Sequence, residues 1–207
     1  MAIAVKKVIA YVDGFNLYFG LRDSNLKRFY WLNIKAMIQN LLKENQQLIA
    51  TKYFTARISG PPEKRIRQNT FLEALGTLDD FKTFYGHYLS KKITCRNCKQ
   101  SWPSFEEKMT DVNIATELLV DAFEDRFDTA LLISADSDLV GPINAIKKIF
   151  PQKRIIVFFP PNRFSAALKA VADVQLSLGH RLLAQNQFPD KVVRIDGYVL
   201  QRPLEWQ

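Results

Sequence analysis

The chain has little cysteine, histidine or glycine for its length: two, two and eight residues of 207. Two cysteines cannot frame a disulfide-rich fold. Neither G-x-G-x-x-G nor G-x-x-x-x-G-K-[ST] occurs, so no glycine-rich loop is present to cradle a nucleotide phosphate. No apolar run is long enough to cross a bilayer, and the opening "MAIAVKKVIAYVDG" sets lysines inside its apolar stretch, unlike a signal peptide. A soluble, cytoplasmic protein with no membrane partner is the expectation. Internal repeats, low-complexity tracts and linkers are also missing. One domain is therefore expected over residues 1–185, followed by an extension at 186–207 that packs on the domain or trails from it.

What is present begins with charge. The formal net charge is +8, with 47% apolar and 24% charged residues. The composition is that of a globular domain. The positive excess suits a polyanionic partner, because lysine and arginine neutralise phosphates and release counterions. Cys95 and Cys98 form a C-x-x-C in "KKITCRNCKQSW". That is half of a tetrahedral zinc site. His87 offers a third ligand in sequence and the fourth stays unassigned, unless two chains pair as a homodimer. A reduced thiol pair in a hairpin is the preferred reading.

Apolar runs alternate with amphipathic segments, the pattern of a parallel sheet covered by helices. Strands are expected at 8–12, 48–58, 81–90, 129–135 and 154–160, with a marginal sixth in "DVQLSL". A short helix starts near Asn16 and another follows Asn33, which can cap it. Further helices are expected from Pro61–Pro62 to about 78, at 110–125, 139–150 and 163–172. Residues 91–106, with both cysteines and Trp102, read as a basic loop or hairpin projecting from the sheet. The tail adds an edge strand or stays mobile.

Two strands run straight into acids. "KVIAYVDGFNLYFG" ends its apolar run at Asp13, and "TALLISADSDL" ends at Asp136 and Asp138. Carboxylates repel each other and resist burial. In an open α/β sheet, ligands bind beyond the carboxyl ends of the strands. Asp111 precedes Ile114 and Leu118 at helical spacing, so it shares their inward stripe. Thr110 can cap that helix and Asp138 the helix after it. Singly, each acid has an ordinary explanation as a cap or turn residue. Together they are explained by one hard cation, Mg²⁺ or Mn²⁺, which prefers oxygen ligands. Asn16, Ser134 and Ser137 are polar helpers on the same edge.

"YVDGFNLY", "TDVNIATELLVDAF" and "LLISADSDLVGPINAIKK" resemble, in order and spacing, the three signature blocks of NYN domains. These belong to the PIN-like nuclease superfamily, here its LabA-like branch. The resemblance covers about residues 5–185. It implies a three-layer α/β/α fold with a mainly parallel sheet of PIN-like, Rossmann-like topology, and metal-dependent RNA cleavage. It maps the acidic positions onto Asp13, Asp111, Asp136 and Asp138 as catalytic metal ligands, with Asn16 as a polar site residue. Many relatives carry glycine where this chain has Ala135.

The function expected on this basis is a Mg²⁺- or Mn²⁺-dependent ribonuclease, of endonuclease type, with RNA as partner. Lys52, Arg57, Lys64, Arg65 and Arg67 would hold the RNA backbone, with Lys91, Lys92, Arg96 and Lys99 of the projecting segment. Tyr18 and Trp102 would stack on bases, while Phe19 is assigned to the core. The alternative is a catalytically weak or inactive RNA-binding module that keeps the fold. A phosphatase or receiver reading fits less well, because the D-x-D follows the fourth strand and not the first.

Overall fold

The computed structural model describes residues 4–207, apart from the side chains of 88–92 and 103–107. β1 (Lys6–Asp13) leads directly into α1 (Gly14–Asp23). α2 (Ile34–Gln39) follows Asn33, whose Oδ1 accepts the Ala36 N–H at 3.0 Å, as the sequence predicts. β2 (Gln46–Thr55), α3 (Pro62–Leu75) and β3 (Phe81–Tyr85) complete the first half.

The expected single strand over 81–90 is two strands. Residues up to Tyr85 pair in parallel with β2, and the chain then leaves the sheet at Gly86. β4 (His87–Thr94) and β5 (Ser101–Lys108) form a separate antiparallel pair. The ladder thus changes partner and direction within the run, which periodicity does not reveal.

α4 (Thr110–Phe123), β6 (Thr129–Ile133), α5 (Val140–Ile149), β7 (Arg154–Phe159), α6 (Ala166–Val171) and β8 (Val174–Ser177) build the second half. α7 (His180–Gln185) was not visible in the pattern. The tail forms a small hairpin, β9 (Lys191–Val193) with β10 (Val199–Gln201), and ends in a short turn carrying Trp206.

The central sheet has six parallel strands in the order β3-β2-β1-β6-β7-β8. Winding runs outward from β1 to β3, then restarts beside β1 and runs the other way. The reversal lies between β1 and β6, where such sheets open a crevice at their carboxyl edge.

Alternation along β1 feeds two cores. Val8, Ala10 and Val12 face α1, α2, α3, α7 and the tail. Ile9 and Tyr11 face α4, α5 and α6. With both sides covered, the strands read as continuous apolar runs. The result is a three-layer α/β/α arrangement. No helix among the described residues is long and apolar enough to cross a membrane.

Candidate functional site

Asp13 closes β1 and caps α1. Its Oδ1 accepts the Asn16 backbone N–H at 2.9 Å, and its Oδ2 accepts Asn16 Nδ2 at 2.8 Å and the Ser134 hydroxyl at 2.9 Å. The residue is 2% exposed. Burial pushes its carboxyl above the ordinary range, against the Asn16 and Ser134 donors, and the nearby Asp136 charge pushes the same way as burial. An acid held here without a counter-charge is costly, and a cation at the open side would relieve it.

The end of β6 is tied to the same cluster. Ser134 Oγ, while donating to Asp13, accepts the Asp136 N–H at 3.0 Å. Asn16 Oδ1 accepts the Ala135 N–H at 3.3 Å. Ala135 takes no positive φ, so the alanine meets no backbone penalty there. Asp136 Oδ1 accepts the Asp138 N–H at 2.9 Å. Asp136, not Asp138, is therefore the cap of the turn Ser137–Leu139, and Asp138 is exposed.

α4 begins at the same edge. Asn113 Nδ2 donates to the Tyr85 carbonyl at the end of β3 at 3.4 Å, and α4 packs against the turn Ser137–Leu139. Asp111, in its first turn, is half-buried. Thr110 is not the cap: it is the first helical residue, and Met109 precedes it in the left-handed region at φ 81°.

The four acids thus lie at one edge, but they do not form the expected four-carboxylate cage. Among the described residues, no three His, Cys, Asp or Glu side chains stand close enough to share an ion. The side chains that are tied together are Asp13, Asn16, Ser134 and Asp136. Every donor in that set presents oxygen or an amide, which fits a hard cation. Mg²⁺ commonly takes only one or two carboxylates and completes its octahedron with water and substrate phosphate. The chemistry of this set fits such an ion, and Asp13 and Asp136 are its carboxylates that could hold one.

The predicted basic contacts separate. Lys52 is 7% exposed, and its Nζ donates to Asp121 at 2.6 Å and Glu117 at 2.7 Å. Asp121 also accepts the Tyr11 hydroxyl and Arg126. Lys52 is therefore a structural cation under α4 and not an RNA contact. Its position on a strand looked the same in sequence because the partners lie on a distant helix. Arg57 is exposed just beyond β2, donates to Asn69 at 2.6 Å, and covers the Tyr85 ring. Lys64 and Arg65 are exposed at the start of α3, and Arg67 is half-buried.

Arg96 and Lys99 are exposed at the tip of the β4–β5 hairpin, and the Lys91 and Lys92 side chains lie outside the described residues. Cys95 and Cys98 share that tip as free thiols. Backbone N–H groups of Cys98 and Asn97, with the Cys98 side chain, lower the Cys95 thiol below its usual value. His87 starts β4, eight residues away, and so about 26 Å along an extended strand. It cannot be the third ligand, which leaves zinc two donors among the described residues.

Beside Asp13 opens a cleft of about 640 Å³, lined from Gly14 through α1, α3 and the tail. A Cβ at Gly14 would lie 2.5 Å from the Tyr53 hydroxyl, so glycine lets that ring form the floor against the start of α1. Phe19, assigned to the core by sequence, is half-buried on the cleft wall with Arg22 stacked over it at 4.5 Å. Tyr30, Phe71 and Trp206 are lining residues that sequence reasoning missed. They come from distant segments whose apolar residues carry no shared spacing.

Strand order, the winding reversal and a buried acid at that reversal define a doubly wound α/β domain with its candidate site at the carboxyl edge of the sheet. The NYN domain family matches residues 7–179, and the chain belongs to that family, within the PIN-like nuclease superfamily. It is 26% identical over 173 residues to 6-hydroxy-3-succinoylpyridine 3-monooxygenase HspA of Pseudomonas putida, covering 66% of this chain and 54% of that protein. The chain thus spans about half the length of this curated relative. A crystal structure of a protein of unknown function from Vibrio parahaemolyticus shares the fold, with TM-score 0.58 and 20% identity over 87% of this chain and 97% of that one.

Proposed function

We propose that this NYN-domain protein hydrolyses RNA phosphodiester bonds with Mg²⁺ or Mn²⁺ at the carboxyl edge of β1 and β6. The supporting observation is the buried Asp13 carboxylate, fixed by Asn16 and Ser134 and adjoining Asp136 at the winding reversal. When bound, a divalent ion supplies Lewis-acid polarisation of the scissile phosphate and lowers the pKa of a bound water. Asp13 and Asp136 would hold it. Asn16 and Ser134 orient Asp13, so its carboxylate needs no rearrangement when substrate arrives. Asp111 and Asp138, in the first turn of α4 and in the turn Ser137–Leu139, would hold a water or the outer ligands. Arg57, Lys64 and Arg67 place positive charge where the RNA backbone would cross the rim.

Asp13→Asn keeps the size of the side chain and an acceptor for the Asn16 backbone N–H, and removes the charge and one acceptor oxygen. Cleavage of labelled single-stranded RNA should fall roughly 100-fold or more, while RNA binding holds or tightens as charge repulsion is relieved. EDTA should abolish wild-type cleavage and Mn²⁺ restore it. Cleavage by Asp13→Asn at the wild-type rate would remove the assignment. A second reading, RNA binding without turnover, is favoured by the lack of a three-acid cluster among the described residues. It predicts no metal-stimulated cleavage by the wild-type protein in the same assay.

A further inference from the structure

We propose that the cleft between α1, α3 and the C-terminal segment holds one unstacked base of a single-stranded RNA, beside the phosphate to be cleaved at the Asp13 edge. The location of that phosphate rests on the ribonuclease reading; the base pocket itself is read from binding alone.

Three observations carry the assignment. First, the cleft begins at Gly14, the residue after Asp13, and its volume of about 640 Å³ suits a ligand of nucleotide size. Second, its walls are aromatic and one ring is open. Tyr18 is 43% exposed, and its ring centroid stands 5.1 Å from that of Tyr30. Tyr30 in turn meets Trp206 edge to face at 5.7 Å. An exposed ring backed by packed rings is a platform on which any base can stack. Third, the rim is cationic. Arg67 is engaged by Glu205 at 2.6 Å and Arg22 by Asp23, while Lys64 makes no ion pair among the described residues. A neutral planar ring inside and an anion at the rim describe a nucleotide joined to its chain.

The outer wall lies beyond the family match, which ends at residue 179. Trp206 is 8% exposed, packs on Tyr30, Trp31 and Phe71, and its turn is tied by Arg67–Glu205. This chain thus completes the pocket with its own C-terminal segment.

The experiment measures hexanucleotide affinity by fluorescence anisotropy in EDTA, where no cleavage occurs, for the full chain. A series of hexamers carries an abasic residue at each position in turn. Tyr18→Ala should weaken binding of the intact hexamer about tenfold, the loss expected for one base stack. With the hexamer abasic at the pocket position, wild type should already be that weak and Tyr18→Ala should cost nothing further. Trp206→Ala, checked by thermal melting, should behave alike. Because Tyr18 is largely exposed, its variant keeps the test alive if Trp206→Ala unfolds. The pocket is overturned if Tyr18→Ala binds the intact hexamer like wild type. It is equally overturned if the variant loses the same factor on every abasic hexamer. A free mononucleotide binding as tightly as the hexamer would show a small-molecule site instead. These readouts are independent of turnover, so cleavage retained by Asp13→Asn, which would remove the ribonuclease reading, leaves them decisive.

Discussion

At the scale of residues, the two strand-end acids were legible because an apolar run ending in aspartate is an unusual sequence event, and the structure ties Asp13 and Asp136 through Ser134. Lys52 was not legible: a lysine on a strand reads as surface until its partner is placed. Here Asp121 is fully buried and takes hydrogen bonds from Lys52, Tyr11 and Arg126. Removing one member of a buried ion pair leaves an uncompensated charge. Lys52→Met should therefore destabilise the fold by about 3–5 kcal/mol, measured by urea unfolding. RNA affinity of the folded fraction should not change; a loss of affinity without a loss of stability would return Lys52 to the binding surface.

At the scale of elements, the helices and the five main strands followed from periodicity and caps, as at Asn33 and α2. The break at Gly86 did not, because a strand that changes partners keeps its local pattern. α7 is six residues long and has one fully buried position, Leu183, too few for a periodic signal. Packing between elements also sets a test at Gly20. A Cβ there would lie 2.7 Å from the Pro161 carbonyl oxygen and 2.8 Å from the Pro160 Cβ, so α1 rests directly on the loop after β7. Gly20→Ala gains helix propensity but overpacks this contact. A net destabilisation of about 1–3 kcal/mol is expected in denaturant unfolding. A stabilised variant would show that the loop yields.

At the scale of the molecule, the parallel α/β class was legible, whereas strand order and the docking of the tail were not. The tail's core residues, Phe188, Val192, Leu200 and Trp206, are irregularly spaced, and the apolar Val193, Tyr198 and Val199 next to them are exposed. Three tyrosines packed against the two cores are expected to limit the fold at alkaline pH. Burial, then the Tyr18 neighbour, pushes Tyr30 up to about 12. Burial raises Tyr53, and burial followed by the Asp121 charge raises Tyr11. A phenol raised in the folded state lends stability that is complete below its unfolded value, about 10, and is lost as pH rises through the folded one. The melting temperature should hold at mildly alkaline pH and fall steadily above about pH 10, with phenolate absorbance appearing together with unfolding. Phenolate absorbance developing fully before any loss of structure would contradict this.

The hairpin of β4 and β5 closes its ladder on itself and pairs with no strand of the central sheet. It leaves the body at Gly86 and returns at Met109, both at the rim where the acids stand. Among the described residues, neither core cluster draws on this arm. On the ribonuclease reading, a longer, shorter or exchanged arm would change what first reaches the rim and leave the packing beneath it as it is.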